Sequence, residues 1–413
     1  MLLDNTLHAK TIARQFRSSD FRDTSWAIKV SDKAAVVEDA VRIANDGFRT
    51  VSLRRNGLGD KSIYRHAALH EALLIRHISE TLRRITGVRQ SDRKSIVKSL
   101  IALTSEGIPF GILKFDIKSF YETVNTQDIV DRLRKDAAFS RQSIMLIETF
   151  FSALQTQAIT GLPRGVGLSA TLAEYALRDF DAAISNLPGV RFYSRYVDDG
   201  IIVVSDKSDL SLLRNTIADL LPPGLQLNKS KTTPYKFSPY TKRATIATEH
   251  DIKFLGYSLS ISQVTRTLGR GLVRNVHVDI APSKISKIKR RISLSLLNFK
   301  DSGNFDDFLG RIKLLTSNFG FIDDATGQQR YSGVRYNYGL IDPNNSPQLQ
   351  ALDRFLTNVI TSGHPNNRLR PILTKAQRAK VLGFGFSSGF LNNRFFSFDD
   401  DTLKRLIGCW SHA

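Results

Sequence analysis

The sequence predicts an α+β fold with a helical C-terminal part, on the strength of three observations. Short apolar, β-rich runs occupy the middle of the chain, at residues 111–117, 191–204 and 252–261. Segments with apolar residues at helical spacing precede and separate these runs, and a basic segment with a helical pattern follows Pro282. The resulting order is helix, strand, helix, hairpin, strand and further helices, which is typical of an α+β core with a helical appendage.

Composition and charge narrow the class of protein. A length of 413 residues favours two or three domains, and 41% apolar with 24% charged residues is ordinary for a globular chain. The net charge of +20 favours a polyanionic partner such as nucleic acid over a basic surface without a ligand. Cys409 is the single cysteine, which excludes an internal disulfide and a cysteine-built zinc site, and we expect it to be a packing residue.

The sequence predicts neither a signal peptide nor a membrane span. The first residues lack a basic segment followed by an apolar one, and no apolar run approaches the roughly 18 residues that a span needs. We therefore expect a cytoplasmic protein without a membrane partner.

Local signals predict several elements around the β-rich runs. Residues 66–87 have apolar side chains at helical spacing and end at Gly87, within a stretch (49–98) that has twelve Lys or Arg against four Asp or Glu. Ser169 is the predicted N-cap of a helix over 170–186. The acidic run 399–401 is predicted to supply the negative charge at a helix N-terminus.

Three aspartates are the candidate catalytic residues. Asp116 ends a strand-like apolar run, and Asp198 and Asp199 lie where the two strands of residues 191–204 are expected to join. If these strands are neighbours in one sheet, the carboxylates converge into a hard-oxygen site for Mg²⁺, and two ions about 4 Å apart can activate a hydroxyl and stabilise departing pyrophosphate. The alternative stays open on these residues alone, because Asp-Asp-Gly is also ordinary turn sequence.

Five segments resemble the catalytic motifs of reverse transcriptases and occur in the same order. They are FDIKSFY at 115–121, GLPRGVGLS at 161–169, YVDD at 196–199, LNKSKT at 227–232 and FLGY at 254–257. A single motif of this kind is weakly specific, whereas the ordered set is strongly so. The resemblance implies a right-hand polymerase fold, with an antiparallel sheet in its palm, and RNA-directed DNA polymerase activity on dNTPs.

The resemblance also implies a domain organisation and a cofactor. Residues 1–48 are expected to form an N-terminal helical extension, 49–265 the fingers and palm, and 266–413 a helical thumb with a C-terminal RNA-binding region. Two Mg²⁺ ions are the implied cofactor, with Mn²⁺ as an alternative.

By the same resemblance, Asp116, Asp198 and Asp199 are the implied metal ligands, with help from the main-chain carbonyl of Ile117. Tyr121 is implied to exclude a sugar 2′-hydroxyl and so to favour deoxynucleotides, although Phe120 and Tyr121 can also be interpreted as core aromatics. Lys231 is implied to hold the triphosphate or to protonate pyrophosphate, with a solvated lysine as the alternative.

Arg164 stands where the family usually has glutamine, and an arginine there is expected to contact the template or the nucleotide. In the basic stretch, Arg55 and Lys61 are the implied triphosphate-binding cations. The implied primer grip comprises Phe254, Leu255, Gly256 and Tyr257. Further nucleic-acid contacts are expected from cations after the palm, namely Lys284, Lys287, Arg290, Arg291, Arg368 and Arg370.

Among reverse transcriptases, the chain resembles small bacterial enzymes of the retron and defence-associated (abortive-infection-like) groups. Residues 331–339 and 396–410 resemble the shorter subunit of type 3 defence-associated systems, and little sequence follows the expected thumb to form an RNase H, endonuclease or integrase. The implied partners are a dedicated non-coding template RNA, the DNA product, a second polymerase subunit and a higher oligomer. The alternatives are a retron-type enzyme that makes RNA-linked DNA, a maturase-like RNA-binding scaffold and an RNA-dependent RNA polymerase.

Overall fold

The computed structural model describes residues 5–21, 26, 28–58, 61–136, 138–242, 247–269, 271–322, 329–361 and 373–410. Its α-helices in chain order are α1 Ala9–Ala13, α2 Lys33–Asp46, α3 Leu69–Thr86, α4 Arg93–Thr104, α5 Phe120–Thr123, α6 Thr126–Lys135, α7 Arg141–Gln155, α8 Gly167–Ala176, α9 Arg178–Ser185, α10 Leu210–Leu220, α11 Pro282–Ser302, α12 Phe305–Thr316, α13 Val334–Asn337, α14 Pro347–Ile360, α15 Lys375–Leu382, α16 Phe386–Leu391 and α17 Asp400–Gly408. Its strands are β1 Leu53–Leu58, β2 Lys61–His66, β3 Phe110–Asp116, β4 Val190–Tyr196, β5 Asp199–Ser205, β6 Thr233–Phe237, β7 Thr248–Phe254, β8 Tyr257–Ser262, β9 Thr265–Thr267, β10 Gly271–Val273, β11 Val276–Ile280, β12 Asn318–Ile322, β13 Gln329–Gly333 and β14 Phe395–Phe396.

The chain divides into two compact units. Unit 1 contains Met1–Asp92 and Phe110–Lys236, and unit 2 contains Arg93–Pro109 together with the described residues after Lys236. No helix in the described part of the chain is long and apolar enough to cross a membrane. The three segments expected from the sequence, 1–48, 49–265 and 266–413, stay predictions.

Unit 1 is built around a four-stranded sheet with the order β4-β5-β3-β6. The central strands β3 and β5 are antiparallel, and residues on both of their faces are buried, such as Ile112 and Leu113 on β3. Phe115 on β3 and Ile202 on β5 are fully buried in a cluster shared with α3, α7 and α8. The predicted helix over 66–87 is confirmed as α3, which ends at Gly87 with φ +70°.

The predicted hairpin over 191–204 is confirmed, but its turn lies earlier than Asp198-Asp199-Gly200. Tyr196 pairs with Asp199, so that Val197 and Asp198 alone form the turn and Asp199 already belongs to β5. Gly200 serves packing instead, because a Cβ there would lie 2.2 Å from the Phe115 ring. Turn propensity predicts a glycine in the turn itself. In the structure a glycine is needed at position 200 because the Phe115 ring on the neighbouring strand leaves no room for a side chain.

The single helix predicted over 170–186 with Ser169 as its N-cap is wrong. Helix α8 begins at Gly167, α9 begins at Arg178, and Ser169 is buried inside α8 with 2% of its surface exposed. Leu177, between the two helices, is fully buried and has φ −97° and ψ 4°, so the helix is interrupted at a residue with ordinary helix propensity.

Unit 2 contains a three-stranded sheet (β11-β8-β7), a second one (β13-β12-β14) and most of the C-terminal helices. The run 252–261, predicted as one strand, is a hairpin whose turn residues Leu255 and Gly256 have φ values of +46° and +81°. Positive φ at both central positions matches the twist of a tight hairpin. The acidic run is confirmed as a helix start, since Asp399 caps α17 by accepting from the Thr402 N–H.

Candidate active site

Asp116 lies at the end of β3 with both carboxylate oxygens engaged. Its side chain accepts hydrogen bonds from Lys231 Nζ (2.7 Å, at Oδ1) and Asn228 Nδ2 (3.1 Å, at Oδ2). Asn228 also donates its main-chain N–H to the Asp116 carbonyl at 2.7 Å. Asp116 is only 4% exposed, so these donors offset the cost of burying its charge.

Asp199 faces Asp116 across the sheet. The two residues are register partners in the antiparallel β3–β5 pair, and Asp198 precedes Asp199 in the turn. Burial and the neighbouring charges of Asp198 and Asp116 raise the pKa of Asp199 to about 6. The charges of Lys114 and Lys231 have the opposite, smaller effect on this pKa. The three aspartates at this edge of the sheet therefore carry more negative charge than Lys114 and Lys231 neutralise.

The turn that carries Asp198 is held from inside the protein by Arg195. Val197 adopts φ +59°, a conformation that costs a β-branched residue energy. The Arg195 guanidinium, 3% exposed, donates to the Val197 carbonyl at 2.7 Å and pairs with Glu174 and Asp181 at 2.8 and 2.6 Å. This network connects the turn to α8 and α9.

The main chain after Asp116 fixes the same edge of the sheet. Ile117 donates its N–H to the Asp198 carbonyl at 2.9 Å, and it forms an isolated bridge with Leu227. Lys118 donates to the Gln226 carbonyl at 2.8 Å. The segments that contain Asp116, Asp198 and Asn228 are thereby joined side by side.

The carboxylates fit a divalent cation in chemistry, although they do not form a closed ligand set. Asp116, Asp198 and Asp199 offer hard oxygen donors at one sheet edge, and an ammonium group already neutralises Asp116. Within the described ranges, no group of three or more His, Cys, Asp or Glu side chains is arranged to hold a metal ion. The convergence of the three carboxylates on metal ions stays a prediction.

The glycine-rich loop 161–167 is pinned beside this edge. Leu162 donates to the Tyr121 carbonyl at 2.6 Å, and a Cβ on Gly161 would lie 2.2 Å from that oxygen. At the other end of the loop, the Arg164 carbonyl accepts from the Tyr64 N–H at 2.7 Å. The loop thus joins the segment after Asp116 to the β1–β2 hairpin, and only glycine permits the approach at position 161.

Tyr121 and Arg164 form one unit at the surface of this loop. The Arg164 guanidinium lies 4.6 Å from the centre of the Tyr121 ring and makes two hydrogen bonds to Glu122 (2.7 and 3.0 Å). Burial and the charge of Glu174 raise the pKa of Tyr121 to about 12, so its hydroxyl stays neutral. Phe120 is fully buried whereas Tyr121 is partly exposed, which makes Phe120 the core aromatic of the pair.

The expected triphosphate-binding cations lie on the β1–β2 hairpin. Arg55 is exposed and pairs across the hairpin with Tyr64, the residue that contacts the loop. The side chain of Lys61 lies outside the described residues, as do Arg368 and Arg370.

The expected primer grip is the tip of the β7–β8 hairpin in unit 2. Arg93 donates to the Leu255 carbonyl at 2.7 Å and to the Asn337 carbonyl at 3.1 Å, and its guanidinium lies 5.1 Å from the Tyr257 ring centre. Phe254 is buried. The Gly256 carbonyl accepts from the Ala281 N–H at 3.0 Å, which connects the tip to the start of α11.

The basic helix α11 presents some of its cations to solvent. Lys284, Lys287 and Arg290 are exposed, and burial together with the charges of Arg291 and Lys284 lowers the pKa of Lys287. Arg291 instead lies over the ring of Trp410, 5.1 Å from its centre. These cations repel one another, and a bound anion would relieve that repulsion, so this face of α11 suits an anionic ligand.

Arg195, Glu174, Asn228 and Arg93 are the site residues that sequence reasoning missed. Arg195 lies one residue before Tyr196 of the YVDD motif, and a lone arginine in a strand carries no signal of its own. Asn228 lies within the quoted segment 227–232, where attention to its amide beside Lys231 would have found it.

Comparison with known proteins gives a family match for this region. Residues 75–259 match the family described as "Reverse transcriptase (RNA-dependent DNA polymerase)". No curated protein sequence gives a significant match. Among solved structures, the chain is similar to telomerase from Candida albicans in complex with the TWJ fragment of telomeric RNA, at 10% identity and a TM-score of 0.35 over 92% of this chain. The chain spans 66% of the length of that telomerase chain. The similarity to reverse transcriptases therefore lies in residues 75–259, the part of the chain that contains Asp116, Asp198 and Asp199.

Proposed function

We propose that the chain extends a 3′-hydroxyl with dNTPs along an RNA template, at the sheet edge formed by Asp116, Asp198 and Asp199, with two Mg²⁺ ions as cofactor. The observation that carries the proposal is the juxtaposition of Asp116 and Asp199 in register on β3 and β5, with the Lys231 ammonium on the Asp116 carboxylate. A purely structural turn has no need of a lysine and an asparagine directed at a carboxylate on the neighbouring strand.

The residues divide the chemistry among them. Bound divalent ions lower the pKa of the attacking hydroxyl and stabilise the charge that develops on the leaving phosphate. Asp116, Asp198 and Asp199 would hold the ions. Lys231, whose pKa is raised by its hydrogen bond to Asp116, stays protonated and can give a proton to departing pyrophosphate.

Selection of the sugar is proposed for Tyr121. Its ring meets Phe120 edge-on at a centroid distance of 5.7 Å and contacts the Arg164 guanidinium, and both contacts limit its movement. A ring in that position leaves no room for a 2′-hydroxyl, which supports dNTP use over NTP use.

Primer extension on an RNA template with Asp198→Asn and Asp199→Asn proteins tests the catalytic assignment. We expect each variant to lose at least 10³-fold in rate while its melting temperature stays within a few degrees of wild type. Asp219→Asn, an exposed aspartate on α10, is the matched control and should keep full activity. Wild-type rates in both site variants would contradict the assignment.

We further propose that the template is a dedicated non-coding RNA and that the enzyme acts in bacterial antiphage defence beside a second polymerase subunit. The support is the resemblance of residues 331–339 and 396–410 to the shorter subunit of type 3 systems. Sequencing of the nucleic acid that copurifies with the protein should give one small RNA with complementary DNA. DNA joined covalently to that RNA would indicate the retron-type alternative, and phage plating with the wild-type and Asp198→Asn genes tests the defence role.

A further inference from the structure

Three aromatic side chains meet on the surface of the β13-β12-β14 sheet in unit 2. Tyr331 on β13, Tyr336 on α13 and Phe395 on β14 are 48%, 48% and 44% exposed. The Tyr331 and Tyr336 rings are stacked at 5.1 Å and 24°, and the Phe395 ring meets Tyr331 edge-on at 5.9 Å. We call these three residues the aromatic platform.

A glycine lies beside two rings of the platform. Gly320 on the central strand β12 is the register partner of Tyr331, and a Cβ there would lie 3.5 Å from the Tyr331 ring and 3.6 Å from the Phe395 ring. The opposite face of the sheet is different, because Phe319 and Phe396 each pack against Phe398. One face of this small sheet is thus packed, and the other presents its rings to solvent.

Asn318 fixes the platform in advance of any ligand. Its buried side chain, 1% exposed, accepts from the N–H groups of Arg335 and Tyr336 at 3.0 and 3.3 Å and donates to the Arg394 carbonyl at 3.0 Å. These bonds hold α13 and β14 against β12, so that Tyr336 and Phe395 keep their places beside Tyr331. A platform arranged in this way loses little conformational entropy when it binds.

The segments that carry the platform are basic. Residues 318–322, 329–341 and 394–396 contain Arg330, Arg335 and Arg394 and no Asp or Glu, whereas Asp323, Asp342 and Asp399 lie farther along the chain. Arg335 is exposed and donates to the carbonyls of Phe390 and Leu391 at 3.3 and 3.4 Å. Exposed rings on segments that also carry arginines suit a ligand that combines flat apolar surfaces with negative charge.

We propose that the aromatic platform binds an unpaired nucleic-acid strand, whose bases stack on Tyr331, Tyr336 and Phe395. Every base has a flat face, so the binding is tolerant of sequence, and the arginines nearby neutralise the phosphates. A duplex buries its base faces and is excluded. The inference depends on neither the catalytic aspartates nor the proposed template, because it concerns a surface of unit 2 alone.

Binding of fluorescent oligonucleotides to the full-length protein tests the proposal without any synthesis. We expect Tyr331→Ala with Tyr336→Ala to weaken binding of a single strand about tenfold or more, since each stacked base contributes about that factor. Tyr331→Phe with Tyr336→Phe should bind like wild type, because stacking needs the ring and not the hydroxyl. Tyr240→Ala, which removes another exposed tyrosine of unit 2 (37% exposed), is the matched control.

Photocrosslinking locates the contact, since other surfaces of this basic protein also bind nucleic acid. With 4-thiouridine or 4-thiothymidine strands of one sequence, we expect crosslinked peptides that contain residues 329–339 or 395. The RNA and DNA arms distinguish a template or partner RNA from a DNA product. A duplex competitor should displace neither strand from these peptides.

Three outcomes would overturn the proposal. They are unchanged affinity in the alanine pair with a wild-type melting temperature, equal loss in the phenylalanine pair, and crosslinks confined to other peptides. If the alanine pair instead changes only the sedimentation of the protein, the surface is a protein interface and the proposal is wrong. Wild-type primer extension alongside any of these results would leave the polymerase assignment intact.

Discussion

Lys231 and Asp116 form an ion pair in which an ammonium group whose side chain is 58% exposed reaches a carboxylate whose side chain is 6% exposed. We expect Lys231→Met to lower the rate of primer extension about 10²–10⁴-fold, the usual contribution of a positioned proton donor. The variant also leaves the buried Asp116 carboxylate with Asn228 as its remaining side-chain donor, so the free energy of unfolding should fall by about 1–3 kcal/mol. Lys229→Met is the matched control. Equal rates in the two variants would show that Lys231 is only a solvated lysine.

Protonation of Asp199 makes stability depend on pH. A pKa near 6 in the folded protein, against 3.8 for the ordinary group, means that the folded state retains the proton between these values. The free energy of unfolding should therefore fall as the pH rises from about 4 to 6, and stay low above that range. Denaturant titrations of wild type and Asp199→Asn in EDTA should diverge by about 2 kcal/mol over this window, in favour of the variant. Parallel curves would contradict the raised pKa.

Arg195 should matter more for stability than an exposed arginine with as many partners. Arg195→Met leaves Glu174 and Asp181 without their buried cation, which we expect to cost about 3–5 kcal/mol of unfolding free energy. Arg134→Met is the control, because Arg134 pairs with Asp131 and Glu148 at the surface, where ion pairs contribute little to stability. Thermal and denaturant unfolding of both variants measures the difference, and equal losses would argue against the buried network.

Tyr121→Ala should relax the choice of sugar. We expect the ratio of NTP to dNTP incorporation to rise at least tenfold, whereas Tyr121→Phe keeps the ring and the wild-type ratio. Phe120→Ala serves as a contrast, because loss of this fully buried ring should cost about 3–5 kcal/mol of stability with no specific effect on the sugar. An unchanged ratio in Tyr121→Ala would remove Tyr121 from the proposed role.

Gly161→Ala should lower both stability and the rate of synthesis. The new methyl group would meet the Tyr121 carbonyl at 2.2 Å, which forces the loop away from the segment after Asp116. Gly269→Ala is the matched control: its φ of +77° is as unfavourable for alanine as the +66° of Gly161, but no atom lies within 4 Å. At Gly269 the substitution should lower the free energy of unfolding only by the backbone strain of a left-handed alanine, about 1–2 kcal/mol. Similar effects at both positions would show that conformation, and not contact, matters at Gly161.

Much of the site could be predicted from the sequence because its signals are local. Apolar strands that end in aspartate, a glycine-rich loop and a lysine four residues after Leu227 are each visible over a short window. Alternation of side chains limits the register of the β3–β5 pair, and the observed register places Asp116 opposite Asp199.

The other features of the fold and site could not be predicted, because they depend on contacts between residues far apart in the sequence, which no local pattern reveals. Gly200 was assigned to the turn, but Phe115 on another strand requires its lack of a side chain. The hairpin at Leu255 escaped notice because leucine at φ +46° is unusual, and Arg93, 162 residues away, stabilises its carbonyl. The β13-β12-β14 sheet was missed since β14 is two residues long and joins a strand far away in sequence.

The hydrogen bond from Arg195 to the Val197 carbonyl bears on how related sequences should be interpreted. A protein can retain tyrosine, valine and both aspartates at positions 196–199 and still lack the support that keeps the turn in its strained conformation. The four letters of the motif therefore do not suffice to infer an active polymerase. A homologue in which the equivalents of Arg195 and Glu174 are both apolar would be a candidate for a protein that has kept the motif but lost catalysis.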